Sequence, residues 1–384
     1  MWQGVFPPNT LFRLKEILDA STWEAPPKGS DIYPRQRLLV CSATYRPPRT
    51  GAADADGNSP AKLVGTVQML AYGDRRAYVK GLDDIFAKPV LTMENEFDRD
   101  FVWSDWKGAS YSLKEEWEYV TGPAQRKDDC TPGSRDSNND GKSPEEFLTA
   151  VNDVIVKRRK EGHGTRLPIN FALLTLEEVL SVRLYSGPAF GPINEFLRQV
   201  SNLTGRFRKQ VIEHPGLTFA ATVGNIYKAI RKLAAIATPE EASAPLYRGV
   251  RGELPEHFWL PDAKGMVCAV DMAFMSTSGN RETPIRYMGN GQNVLWELKA
   301  EAETDVAYHR GADISMLSQF SHEKEVLFPP GTMLVVHSRV SAGTSSTTQN
   351  SADAIKYMRS SLAADESSEG GKSFVHISVT PYFL

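Results

Sequence analysis

The sequence predicts an α+β protein on three observations. Apolar residues recur at helical spacing across residues 173–237, and short apolar runs broken by Gly, Pro and Ser dominate after Pro245. No glycine-rich strand-to-helix loop joins these halves. Helices first and strands afterwards give segregated layers, not alternating β-α units. The missing glycine-rich loop also argues against a Rossmann or P-loop nucleotide site.

A chain of 384 residues is long enough for two domains. Its 41% hydrophobic and 24% charged content is that of a globular protein. A net charge of −3 speaks against a general nucleic-acid or membrane binder. No apolar run approaches the roughly 20 residues that span a bilayer. The start, MWQGVFPPNTLFRLK, lacks the charged-then-apolar pattern of a secretory signal, so a cytoplasmic location is expected, with export by another route left open. Cys41, Cys130 and Cys268 are far apart and odd in number, forming neither a disulfide framework nor a zinc site. No metal is expected.

Residues 1–165 read as a separate N-terminal α+β region, and residues 166–384 as the second unit. The first holds Trp2, Trp23, Trp103, Trp106 and Trp117, with strands at 38–45 and 63–72 and a Pro-, Gly- and Asp-rich loop between them. Phe97, Phe101, Trp103, Trp106, Tyr111, Trp117 and Tyr119 are the expected core of a small domain of its own. Asp136, Asn138, Asp140 and Gly141 match the first half of an EF-hand loop, but its twelfth position is Phe147. Ser143-Pro144-Glu145-Glu146 instead reads as a helix start, followed by Phe147, Val151, Val154 and Ile155 on one face. The basic run 157–160 complements the helix dipole, and 162–164 reads as a linker.

Leu173, Leu176, Leu180 and Leu184 mark the next helix, and Ile193, Phe196, Leu197 and Val200 resume the pattern after a break at 185–190. Ile226, Ile230, Leu233 and Ala237 mark another, and Thr238-Pro239-Glu240-Glu241 starts a short one. Strands are expected at 246–250, 267–275, 293–299, 325–328, 333–340 and 373–379. Residues 341–351 and 364–372 read as mobile loops around a short helix.

Chemistry concentrates at 314–336, where Glu323 and Glu325 flank Lys324 just before a buried strand. In an extended segment the two carboxylates share a face, about 6–7 Å apart. Like charges so close need a cationic partner or a catalytic use. Glu94/Glu96 and Glu301/Glu303 repeat the spacing and read as solvated charge. Two further motifs precede this pair. In Leu246-Tyr247-Arg248-Gly249 a guanidinium stands next to a residue that lets backbone approach a ligand. In Phe274-Met275-Ser276-Thr277-Ser278 three hydroxyls at a strand end can hold a carboxylate.

In this order and spacing, the three motifs resemble those of the arginine-specific mono-ADP-ribosyltransferases, a family that includes vertebrate ecto-enzymes and the enzymatic components of clostridial binary toxins. Residues 185–198 (YSGPAFGPINEFLR) are similar to the family's helical segment, and 314–330 to its turn-turn loop and catalytic strand, with Phe320 as the loop aromatic. The resemblance covers about residues 170–384. It implies N-terminal helices followed by two packed mixed and antiparallel sheets around an NAD cleft. It also implies that NAD is cleaved at the nicotinamide–ribose bond and that ADP-ribose passes to an arginine of a target protein, with no metal. On that likeness Glu325 stabilises the oxocarbenium-like ribose, Ser276 orients it, and Arg248 binds the phosphates. Gly249 meets the nicotinamide amide, Tyr287 packs on nicotinamide, Arg286 or Arg281 lies near phosphate, and Thr277 and Ser278 belong to the same NAD site. Glu323, with Phe320, selects arginine as acceptor. An NAD glycohydrolase on the same motifs and a catalytically silent interaction protein are the competing readings. Residues 1–165 are given a substrate-recruiting or regulatory role.

Overall fold

The computed structural model describes residues 10–18, 38–45, 69–70, 92–104, 108–124, 139, 141–164, 169–199, 219–254, 256–259, 267–300, 310–336, 364–369 and 371–382. The chain opens with β1 (Thr10–Leu18), β2 (Leu38–Tyr45) and β3 (Met69–Leu70), then α1 (Met93–Phe97), β4 (Val102–Ser104), β5 (Ser110–Ser112) and α2 (Leu113–Thr121). The helical half follows: α3 (Pro144–Lys160), α4 (Ile169–Ala172), α5 (Leu176–Ser186), α6 (Phe190–Gln199), α7 (Ala220–Ala235) and α8 (Pro239–Ser243). The strand-rich half holds β6 (Leu246–Arg251), β7 (Cys268–Asp271), β8 (Met275–Ser278), α9 (Glu282–Arg286), β9 (Asn293–Leu298), β10 (Ala312–Asp313), β11 (Glu325–Phe328), β12 (Thr332–Val336), β13 (Ala364–Glu369) and β14 (Lys372–Tyr382). Helices first and strands afterwards make the fold α+β, as the periodicity predicts.

Capping chemistry fixes where the helices begin. Ser143, Thr175 and Thr238 each accept from the backbone three residues on, and Glu146, Glu178 and Glu241 reach back to the cap N–H. Each reciprocal pair satisfies two donors that the first turn leaves without partners. The basic run closes the last turn of α3 as expected. It also docks a neighbour, since Arg158 makes two hydrogen bonds, 2.7 and 2.6 Å, to the carboxylate of Glu241 on α8.

One apolar core joins Phe97, Leu113 and Val120 to Phe147, Val151 and Ile155 of α3, Leu184 of α5, Ile193 of α6, Ile226 and Ile230 of α7, and Leu327 of β11. The aromatics expected to form a core of their own pack here. Phe97 stacks on Trp117 at 6.1 Å and meets Phe219 edge-on at 5.5 Å, while Phe101, Trp103 and Tyr119 lie against the same cluster. Trp106 lies outside the described residues. The described residues between 92 and 160 therefore share their core with the helices and sheet that follow residue 165.

Glu96 departs from the solvated role expected for it, whereas Glu94 is exposed. Glu96 is fully buried and accepts from Ala221 N at 2.7 Å, Thr222 N at 2.9 Å and Thr222 Oγ1 at 2.6 Å. An anion at a helix N-terminus meets unpaired N–H groups and the positive end of the dipole; burial nevertheless raises the Glu96 carboxyl, with these hydrogen bonds opposing the rise. Glu301 and Glu303 lie outside the described residues.

The main sheet has ten strands in the order β10-β11-β8-β6-β9-β14-β12-β7-β3, with β13 added to β14. Its pairs are antiparallel except β9–β14. Side chains alternate between two cores. Leu327 and Val270 join the helical core, whereas Phe328, Val326 and Ala269 join a second one built on Trp296, Met275 and Leu334.

The expected single strand at 267–275 is two, β7 and β8, with a break at residues 272–274. Side chains take the backbone there: Asp271 Oδ1 accepts from Ala273 N at 3.1 Å, Asn194 Oδ1 accepts from Phe274 N at 3.2 Å, and Tyr185 OH donates to Phe274 O at 3.3 Å. An apolar run carries no mark of such a break. Residues 364–369, expected in a mobile loop, form β13 and pair with β14. Their polar composition resembles a loop, but a hairpin's ladder is made by backbone, and Gly371 at φ +73° supplies the turn. Of the strand expected at 63–72, Met69–Leu70 is described. Residues 337–351, Val200, and most of the EF-hand-like loop lie outside the described residues.

Candidate active site

Adjacent strands β6, β8 and β11 carry Arg248, Ser276 and Glu325. Glu325 lies opposite Ser278, and Leu327 opposite Ser276. Opposed residues of an antiparallel pair share a face, so Ser276, Ser278 and Glu325 project together. Each hydroxyl of the Ser-Thr-Ser motif then has a distinct partner. The Ser276 side chain bonds the Glu325 carboxylate. Thr277 Oγ1 donates to Val326 O at 2.7 Å, and Ser278 Oγ donates to Glu323 O at 3.0 Å. One hydroxyl holds the carboxylate and two hold the backbone around it.

Strand β6 pairs with β9 from Leu246 to Arg251 but meets β8 only at Tyr247–Ser278. Beyond that pair, the Arg248 side chain supplies the link. Its Nη1 donates to Ser276 O at 2.7 Å, and its Nη2 pairs with Asp271 Oδ2 at 3.0 Å. Guanidinium has five N–H donors, so others are left for a ligand. Gly249 follows because α9 crosses close by; a Cβ there would stand 2.7 Å from Pro284 O. Arg286, at the end of α9, is exposed, and Arg281 Cζ lies 5.8 Å from the centre of the Phe374 ring.

Burial pushes the Glu325 carboxyl up to about 7, opposed by the Ser276 hydrogen bond; the Glu323 charge adds to the rise and Arg248 reduces it. Tyr185, beneath the site, is pushed up as well, by burial and then by the Glu325 charge. A carboxylate this close to neutrality, held by one hydroxyl beside a guanidinium, can stabilise a cation or exchange a proton near neutral pH.

Glu323 does not share an extended strand with Glu325. Ser321–Glu323 is a turn of 3₁₀ helix, Lys324 is left-handed at φ 47° and ψ 54°, and β11 begins at Glu325. The reversal at Lys324 replaces strand alternation with a loop-to-strand corner, and nothing in Glu-Lys-Glu marks it. Lys324 is exposed. Glu323 Oε1 accepts from Tyr287 OH at 2.7 Å, and Arg251 Nε holds the Tyr287 carbonyl at 2.8 Å. Burial, then this hydrogen bond, pushes the Tyr287 phenol up to about 12, so it remains the donor. The left-handed conformation costs an L-residue about 1–2 kcal/mol. Lys324→Gly is therefore expected to be at least as stable as wild type and Lys324→Val less stable by about 1 kcal/mol or more, as read by thermal unfolding.

The loop before the 3₁₀ turn is tied to α5. Gln319 Nε2 donates to Arg183 O at 2.8 Å, Gln319 N donates to Ser186 Oγ at 3.0 Å, and Arg183 Nη1 donates to Leu317 O at 3.2 Å. Phe320 is half-buried, its ring 6.4 Å from that of His322. Sequence reasoning missed Asp271, Gln319 and the grip of Tyr185 and Asn194 on Phe274. Asp271 had a usable signal: a lone acid in an apolar run, where a fully buried Asp needs a partner. Among the described residues no group of His, Cys, Asp and Glu is placed to hold a metal, and no helix is long and apolar enough to cross a membrane.

Residues 265–359 match the family model described as ADP-ribosyltransferase exoenzyme. Ser276, Glu323 and Glu325 fall inside this stretch and Arg248 before it. No curated protein matches. Among solved structures, the chain is similar to the ADP-ribosyltransferase HopU1 of Pseudomonas syringae pv. tomato DC3000, at 17% identity over 69% of this chain and 96% of that one, with a TM-score of 0.38. It is also similar to the Vis toxin of Vibrio splendidus, at 19% identity over 62% and 86%, TM-score 0.34. A third is the SpvB ATR domain of Salmonella, at 19% identity over 53% and 98%, TM-score 0.31.

Proposed function

We propose that the chain is an NAD-dependent mono-ADP-ribosyltransferase that modifies arginine side chains of a protein target. The observation that carries this reading is the buried Glu325 carboxylate, bonded to Ser276 and lying within the field of Arg248. Support also comes from the family model, which spans the Ser-Thr-Ser and Glu-Lys-Glu motifs.

The residues fit NAD. Arg248 keeps donors for a phosphate, Gly249 exposes main chain beside α9, and Tyr287 presents a 56% exposed ring next to Glu323. When the bond between nicotinamide and ribose breaks, its electron pair leaves with nicotinamide, which departs neutral. The positive charge that develops on the ribose is stabilised by Glu325. An arginine nitrogen then bonds to the ribose carbon, and Glu323 takes the proton that this nitrogen loses. A carboxylate suits the task because it binds guanidinium through paired charged hydrogen bonds. Residues 166–384 carry this chemistry, residues 92–160 complete their core, and the residues before them are left a recruiting or regulatory role.

Incubation of the full chain with adenylate-labelled NAD and a small guanidine acceptor tests the reading. Label on the guanidine with matching nicotinamide release is expected. Release without transfer would establish a glycohydrolase instead, and neither product would leave the interaction protein.

A further inference from the structure

Asp271 stands where no motif placed it. It ends β7, it is fully buried, and both its oxygens are used: Oδ2 pairs with Arg248 Nη2 at 3.0 Å and Oδ1 accepts from Ala273 N at 3.1 Å. The second contact fixes the carboxylate through the backbone of the β7–β8 break. Arg248 meanwhile reaches across the gap between β6 and β8 to the Ser276 carbonyl at 2.7 Å. A guanidinium on a side chain with four rotatable bonds needs such a fixed counter-charge to keep one direction. Burying this acid without a pair would be strongly unfavourable.

We infer that Asp271 is a positioning residue: it aims the Arg248 guanidinium, holding it against the Ser276 carbonyl and presenting its remaining donors to the dinucleotide. This inference rests on the transferase reading above. Asp271 touches no reacting atom. Its influence runs through Arg248, so it falls chiefly on NAD binding. The pairing of the Ser276 strand with β11 does not involve Asp271, so the turnover step is expected to be affected less.

The test is steady-state nicotinamide release by the full chain, comparing wild type, Asp271→Asn and Asp271→Glu, with thermal unfolding run on each. Asp271→Asn preserves shape and one acceptor but removes the charge. Its KM for NAD is expected to rise about tenfold or more, the size of one charged hydrogen bond, with kcat falling far less. Asp271→Glu keeps the charge on a longer arm and is expected to give a KM between the two. A general loss of packing would not produce a KM change that the conservative variant partly rescues. If Asp271→Asn does not fold, Asp271→Glu carries the test alone, with a KM raised about threefold or more expected. An unchanged KM in the folded variants, or equal losses in kcat and KM without rescue, would overturn the inference. Absence of NAD cleavage by wild type would instead overturn the parent reading.

Discussion

Glu325→Gln is expected to lose nicotinamide release and transfer together, by about a hundred- to a thousandfold in kcat, and to gain stability while doing so. The two effects share a cause. The carboxylate is buried beside a second acid, and its proton affinity is raised from the usual 4.5 to about 7. A group whose folded-state affinity is raised binds protons more tightly folded than unfolded. Its favourable contribution is complete below about pH 4.5 and disappears as pH climbs through about 7. Above that, the ionised carboxylate costs the fold on the order of 3 kcal/mol, and the neutral amide removes this cost. Thermal unfolding of variant and wild type should therefore coincide near pH 4.5 and separate by pH 8, the variant melting higher. In wild type, nicotinamide release should rise through about pH 7 as the carboxylate ionises. Equal release by wild type and variant would remove Glu325 from the chemistry. A melting difference that does not change with pH would remove the electrostatic account of its burial.

What the sequence revealed follows from the range of each interaction. Capping boxes at Ser143 and Thr238 are local chemistry and were readable at sight. The placement of Ser276 beside Glu325 was expected from the family resemblance of the three motifs, and the β8–β11 pairing brings the two together. The corner between Glu323 and Glu325 was not: a left-handed residue without glycine, Lys324, is held by what surrounds it, here Ser278 on the Glu323 carbonyl and Tyr287 on its carboxylate. The β7–β8 break was equally silent, since the groups that take up residue 274 come from Tyr185 and Asn194, eighty residues or more away. Glu96 illustrates the same limit. Its spacing from Glu94 copies that of the site pair, yet its partner is the start of α7. Short-range pattern identified which residue types were available; long-range contact decided which of two similar acids capped a helix and which joined Arg248 and Ser276.

Glu323→Gln is expected to lower transfer to a guanidine acceptor by about a hundredfold or more, while nicotinamide release to water stays measurable. The geometry makes the direction specific. Tyr287 donates to one oxygen of Glu323 at 2.7 Å, which leaves the other for a guanidinium N–H. A glutamine amide has only one oxygen. With that oxygen kept by Tyr287, its NH₂ group faces the acceptor, donor against donor, and the base that would take the proton is gone. Removing the Glu323 charge also removes one of the two influences that raise Glu325, so the acid limb of nicotinamide release should shift to lower pH. Adding Tyr287→Phe supplies the control. Without the phenol, the amide can turn its oxygen to the acceptor, so the double variant should transfer better than Glu323→Gln alone. Undiminished transfer in Glu323→Gln would separate acceptor choice from this carboxylate. No recovery in the double variant would show that the lost proton acceptor, not the amide's orientation, accounts for the whole defect.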